Sequence, residues 1–154
     1  MENIEDIIDD LTLSEKIDKG IFADIFLSFK QNIPTKYATK VINKETPNNE
    51  ARKKYICNEI SILKDIHHPN LLKLIEVKES PQNLYIVTEY YNGGNLSECL
   101  ERYKEENNKS FSEEIVQYIM RQVIEGMKYL HNKKIINRDI KLDNIMIHYK
   151  IYLI

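Results

Sequence analysis

Between residues 11 and 42 the chain passes through three stretches rich in Ile, Phe, Leu and Thr, at residues 11–19, 22–29 and 35–42. They are parted only by Gly20 and by the turn-like residues 32–34. Strands joined so tightly are expected to pair as an antiparallel meander. After Thr46-Pro47-Asn48-Asn49 the period changes: Ile56, Ile60, Leu63 and Ile66 recur at helical spacing, and the pattern stops at His67-His68-Pro69-Asn70, where proline ends a helix. Residues 71–77 and 84–88 read as two more strands, joined through Ser80-Pro81-Gln82-Asn83. The expected fold class is therefore α+β, with a five-stranded antiparallel sheet carrying one helix.

Asn92-Gly93-Gly94-Asn95 interrupts this pattern and marks the expected boundary between two lobes. Beyond it the sequence predicts a short helix over 96–103, a polar loop over 104–109 and a long helix over 112–131. Ser112, or Ser110 with Glu113, can cap the long helix, and Ile115, Ile119, Val123, Met127 and Leu130 form its apolar stripe. Residues 2–10, with Glu2, Glu5, Asp6, Asp9 and Asp10, read as a short acidic helix or frayed end. The expected organisation is an acidic extension at 1–10, a first lobe with its connecting segment at 11–91, and a partial second lobe at 92–154.

Charge removes several function classes. Lys and Arg number 22 against 24 Asp and Glu, so no net basic field exists to hold a nucleic acid backbone or an anionic membrane. The longest apolar runs fall far short of the roughly 20 residues that span a bilayer, and the acidic N-terminus is unlike a signal peptide, so an intracellular, cytoplasmic location is expected. Cys57 and Cys99 have neither disulfide-framework nor zinc-ligand spacing and read as small half-buried hydrophobes.

Three features ask for chemistry instead. Glu59 lies inside the apolar stripe of the first helix, where an unpaired charge is costly, so it needs a cation. Strand alternation places Lys36, Ala38, Lys40 and Ile42 on one face, which makes Lys40 the candidate partner. The segment Asn137-Arg138-Asp139-Ile140-Lys141-Leu142-Asp143-Asn144 sets a base, a cation and an oxygen ligand in one loop. Its flanking Ile135, Ile136, Ile140, Ile145 and Ile147 argue against full solvation.

In order, these residues resemble the protein kinase family, serine/threonine branch, from residue 11 to the end of the chain. Asp18-x-Gly20-x-x-Ala23-x-Ile25 is similar to the glycine-rich phosphate loop, Tyr37-Ala38-Thr39-Lys40 to the strand bearing the phosphate-contacting lysine, and Arg138-Asp139-Ile140-Lys141-x-x-Asn144 to the catalytic loop. Glu59, His68-Pro69-Asn70, Glu89-Tyr90-Tyr91 with Gly93-Gly94, and Tyr129-Leu130-His131 fall at matching spacings. The resemblance implies ATP and Mg2+ as cofactors and a protein hydroxyl as substrate. Asp139 is then the proton acceptor, Lys141 neutralises the γ-phosphate and Asn144 is the metal ligand. It also implies that Lys40, paired to Glu59, contacts phosphates, and that Ile17, Gly20, Ile25, Ala38 and Met146 enclose the nucleotide. The Glu89 carbonyl and Tyr91 amide would bond the adenine edge, with Thr88 at the depth of the pocket.

Some positions depart from the family pattern. Asp18 replaces the first glycine, a change expected to lower phosphate affinity; Ala23 replaces the third; Asn137 stands where the family usually has His, and Leu142 where Pro is common. Residues 150–154 resemble the strand that leads into the metal-binding Asp-Phe-Gly motif, and the chain stops there. A fragment with negligible transferase activity of its own is therefore expected, with a partner covering the exposed stripe of the long helix. The alternative expectation is a pseudokinase or nucleotide-binding scaffold that holds partners without phosphotransfer.

Overall fold

The computed structural model describes residues 6–20, 23–45 and 50–149. They form two compact units, the first running to His67 and again over Leu72–Tyr90, the second comprising His68–Leu71 and the chain from Tyr91 onward.

The first unit is a six-stranded antiparallel sheet with one helix. Its elements are β1 (Asp6–Ile8), β2 (Leu11–Lys19), β3 (Asp24–Lys30), β4 (Ile33–Asn43), α1 (Glu50–Asp65), β5 (Leu74–Glu79) and β6 (Asn83–Glu89), and the strand order is β1-β2-β3-β4-β6-β5. The meander expected over 11–42 is present, with β2 at its expected bounds. The acidic helix is not: Ile7 and Ile8 pair with Thr12 and Leu11 as a sixth strand. Asp9 and Asp10 make the intervening tight turn, Asp9 at φ 57, because β-branched neighbours favour a strand and aspartate tolerates the left-handed region. Residues 1–5 lie outside the described residues, as do Ile21 and Phe22, where the second expected strand was to begin, and the expected final strand at 150–154.

Alternation along β4 sorts the two faces of the sheet. Tyr37 joins Leu11, Leu13, Tyr85 and Val87 in a core cluster, with Ile8, Phe26, Val41 and Ile75 packed against it. Two hydroxyls inside satisfy each other, Ser28 Oγ and Thr39 Oγ1 at 2.6 Å, so the fully buried polar pair carries no orphaned group. The sheet curls until its two ends meet through ion pairs. Lys78 Nζ of β5 lies 2.7 Å from Asp10 Oδ1, and Lys30 Nζ lies 2.9 Å from Glu76 Oε1. α1 presents Ile56, Glu59, Ile60 and Leu63 half-buried, while Cys57 is exposed on its solvent side instead of half-buried.

The second unit holds α2 (Leu96–Asn107), α3 (Glu113–Asn132) and a short 3-10 turn at Leu142–Asn144. A capping box opens α2: Asn95 Oδ1 accepts from the Glu98 amide at 2.9 Å, and the Asn95 amide donates to Glu98 Oε2 at 3.1 Å. The helix continues through residues 104–107, which were expected in a loop, because Lys104, Glu105 and Glu106 are good helix formers with one face in water. Asn108 ends it at φ 52, its amide bonded to the Lys104 carbonyl at 2.8 Å. Ser112 caps α3, as expected, its Oγ 3.5 Å from the Ile115 amide.

On α3 the predicted stripe is half-buried and ends at the buried Leu130. The exposed apolar face is instead the neighbouring row Val116, Met120 and Ile124, at 43–57% exposure. The offset has a packing cause. Gly126 and Tyr129 face the His68–Leu71 segment, and a Cβ on Gly126 would come within 3.0 Å of the Asn70 carbonyl oxygen.

After β6 the chain pairs with the segment around Met146. The Gly93 amide donates to the Ile147 carbonyl at 2.9 Å, the Ile147 amide to the Gly94 carbonyl at 2.9 Å and the Leu96 amide to the Ile145 carbonyl at 2.8 Å. Asn92 extends this ladder with its side chain, Oδ1 accepting from the Tyr149 amide at 2.9 Å. A Cβ at Gly93 would sit 2.6 Å from the Ile147 carbonyl oxygen. Gly93→Ala is therefore expected to destabilise the second unit by about 2 kcal/mol, read as a lowered denaturant midpoint.

Candidate active site

The first unit carries a lysine–glutamate pair on the sheet face opposite the one that bears the Tyr37 core cluster. Residues opposed across strands share a face. Lys40 opposes Ile25 on β3 and Ile86 on β6, and Ala38 opposes Leu27 and Thr88, so Ile25, Ala38, Lys40 and Thr88 lie on one face. Lys40 Nζ reaches Glu59 Oε1 at 2.7 Å, with both side chains about one-third exposed or less. The helix stripe and the strand alternation thus bring together the two charges the sequence paired. Thr88 is tied down as well, its hydroxyl donating to the Ala38 carbonyl at 3.2 Å.

Gly20 closes the β2–β3 connection. Its amide donates to the Ala23 carbonyl at 2.9 Å, and a Cβ there would lie 2.9 Å from that same oxygen, so the turn leaves no space for a side chain. Ile17 is 40% exposed and opposes Ile25 together with Asp18, because a β-bulge adds one residue to β2 between Lys16 and Asp18. Glu89 ends β6 opposite Tyr37, its amide donating to the Lys73 carbonyl at 3.1 Å and its carboxylate lying 3.4 Å from Lys73 Nζ.

Within the second unit lie Tyr91, Met146 and the loop from Asn137 to Asn144. Tyr91 packs edge-on against His148, ring centroids 5.7 Å apart, and Met146, 47% exposed, bridges to Asn95 through its backbone. In the loop, Asn144 Nδ2 donates both to the Asp139 carbonyl and to Asp139 Oδ2, each at 2.8 Å. Lys141 Nζ lies 3.3 Å from the same Oδ2. These bonds give the Asp139 carboxylate one fixed orientation. Holding Nδ2 inward also leaves Asn144 Oδ1 as a hard oxygen donor of the kind Mg2+ takes, beside phosphate oxygens and water. Among the described residues no group of three or more His, Cys, Asp or Glu gathers that could hold a metal ion.

The loop was expected to be partly buried by its isoleucines. Ile135, Ile145 and Ile147 are half-buried, in keeping with this, whereas Ile136 and Ile140 are 69% and 51% exposed, because the loop satisfies its polar groups through its own turns and turns these two side chains outward. Sequence reasoning also passed over a turn. Asn137 Oδ1 accepts from the Asp139 amide at 2.9 Å, an Asx turn that sets the backbone entering Asp139. Its signal was an Asn two residues before the Asp, read only as a missing His.

The Asp139 carboxyl is held below its ordinary range by the Asn144 hydrogen bond first and by Lys141 next, with desolvation opposing weakly. A depressed folded value means that its contribution to stability is present above the unfolded value of about 3.9 and is lost as pH falls through the folded one. Asn144→Ala removes the larger cause. It is expected to raise the Asp139 midpoint toward that of a free aspartate in a carbon-13 NMR titration.

Comparison with known proteins finds relatives of this sequence. The sequence profile of the family described as Protein kinase domain matches residues 11–153. Serine/threonine-protein kinase 33 of Bos taurus is 35% identical over 136 residues, covering 88% of this chain and 27% of that protein. The same-named protein of Mus musculus is 34% identical over 136 residues, covering 88% and 26%. Calcium-dependent protein kinase 5 of Plasmodium berghei is 36% identical over 131 residues, covering 85% and 22%. The chain thus spans about a quarter of the length of these three relatives.

Proposed function

Because the chain belongs to the protein kinase domain family, on its serine/threonine branch, we propose that it binds ATP and serves the transfer of the γ-phosphate to protein serine or threonine hydroxyls. The observation that carries this reading is the Lys40–Glu59 bond at 2.7 Å on the face that also bears Ile25, Ala38 and Thr88. An ammonium fixed by a helical carboxylate beside small and apolar neighbours is an arrangement suited to nucleotide phosphates with an apolar base alongside.

In the proposed division of work, residues 11–91 act as the nucleotide lobe with its hinge and residues 92–154 as the start of the transfer lobe. Lys40 holds the α- and β-phosphates while Glu59 keeps it extended. Ile17, Ile25, Ala38 and Met146 contact the base, Gly20 admits the phosphates, and the Glu89 carbonyl and Tyr91 amide bond the adenine edge. Asp139 accepts the hydroxyl proton, oriented by Asn144 and by the Asn137 turn, and Lys141 screens the charge that develops on the transferred group. Magnesium, when bound through Asn144, supplies charge neutralisation on the phosphates. Phosphoryl transfer needs little covalent help from protein, so these positional roles constitute most of the mechanism.

The partners that follow are ATP and a protein substrate, acting inside the cell. A further partner is proposed for the apolar row Val116, Met120 and Ile124. Among the described residues no helix is long and apolar enough to cross a membrane. The reading is tested by phosphate transfer from γ-labelled ATP and magnesium to a basic protein substrate, followed by phosphoamino-acid analysis. Label on serine or threonine that requires Asp139 supports it, and label that survives Asp139→Asn removes it.

A further inference from the structure

The face that carries Lys40 also carries an acidic group that the proposed reaction does not use. With plain alternation along β2, Asp18 would share a side with Lys16, whose Nζ lies over the Phe26 ring at 5.5 Å. The bulge changes this: Lys16 opposes Phe26 but Asp18 opposes Ile25, and Ile25 in turn opposes Lys40. Asp18, Ile25, Lys40 and Ile86 therefore form one row across four strands on a single face. At about 4.8 Å between neighbouring strands, the backbone positions of Asp18 and Lys40 are about 10 Å apart.

The Asp18 charge is not neutralised locally. The neighbouring cation Lys16 is engaged with Asp24 at 2.8 Å, and among the described residues Asp18 makes no ion pair. Its Oδ1 instead accepts from the Lys19 amide at 2.7 Å, so the carboxylate both faces the row and occupies a backbone donor next to the Gly20 turn.

We propose that Asp18 is a specificity-determining residue that grades nucleotide affinity by phosphate charge, weakening polyphosphate binding while leaving adenosine binding alone. This rests on the nucleotide reading above and deepens it. An exposed carboxylate whose backbone lies about 10 Å from that of the lysine proposed for the phosphates repels them in proportion to their charge, by an amount that falls with ionic strength. By holding the Lys19 N–H, it also withholds a donor of the kind phosphates take up from loop backbones.

The test is calorimetric titration of the chain and of its Asp18→Asn and Asp18→Gly variants with adenosine, ADP and ATP. Magnesium is present throughout, and each titration is run at low and at high salt. Asn keeps the shape and the amide acceptor but removes the charge; Gly removes both. The expected result is ATP affinity raised about fivefold in Asp18→Asn at low salt, a smaller gain for ADP and a diminished gain at high salt. Asp18→Gly is expected to gain at least as much, and adenosine affinity to stay the same in all three proteins. Equal adenosine binding also certifies that the variants are folded. Unchanged or weaker ATP binding in Asp18→Asn, with adenosine still bound, overturns the inference and spares the nucleotide reading. Failure of adenosine and ATP alike to bind the unaltered chain overturns both.

Discussion

Asp139→Asn is expected to lower kcat about a thousandfold in any form of the protein that phosphorylates a substrate, with the dissociation constant for ATP changed by no more than about twofold. The variant keeps the size of the side chain, its place after the Asn137 turn and an oxygen that can accept from Asn144. It loses the capacity to take a proton, and it leaves Lys141 without the carboxylate that lies 3.3 Å from its Nζ. Since Asp139 is proposed to act on the hydroxyl and not on the nucleotide, the loss belongs in kcat. Steady-state kinetics beside equilibrium nucleotide binding separate the two. Comparable losses in both would show that the loop supports nucleotide binding instead of proton transfer.

Lys40→Met is expected to weaken ATP binding tenfold or more and to lower the unfolding free energy by about 1–2 kcal/mol. The first effect follows from removing the cation proposed for the phosphates. The second follows from leaving Glu59 half-buried without its 2.7 Å partner. The stability loss is moderate because both side chains retain some access to water, which places the pair between surface ion pairs and fully buried ones. A double-mutant cycle with Glu59→Gln distinguishes the contributions. The double variant should recover part of the stability lost in Lys40→Met, since no unpaired carboxylate remains, and none of the lost ATP affinity. Recovery of both would mean that Lys40 serves the fold alone.

The parts of this arrangement that sequence periodicity reaches are those set by period and by punctuation. The strand over Leu11–Lys19, the helix from Glu50 and the cap at Ser112 each follow from side-chain spacing or a single capping hydroxyl, which act locally. The Lys40–Glu59 bond was legible for a different reason: two charges, each placed on a face that should be apolar, have few other ways to be satisfied. What escaped depends on backbone detail that residue types signal weakly. The Asp9 turn required a left-handed aspartate, and the helix at 104–107 was masked by its polarity, which marks a solvated helix as readily as a loop. The bulge at Ile17 is the most consequential of these. One inserted residue moves Asp18 to the face of Lys40, and no residue in Lys16-Ile17-Asp18-Lys19 announces it. In the 137–144 loop the grouping of Asp139, Lys141 and Asn144 was legible, whereas the turn made by Asn137 was not, because an Asx turn is defined by geometry and not by periodicity.

Lysine-directed labelling with an acyl phosphate of ATP tests the central claim most directly, because the acyl group transfers to a lysine that lies against the phosphates of the bound nucleotide and mass spectrometry locates it. The account predicts acylation of Lys40 that excess ATP suppresses. Lys40 left unmodified, with label scattered over surface lysines such as Lys53 and Lys73 and indifferent to ATP, would contradict it.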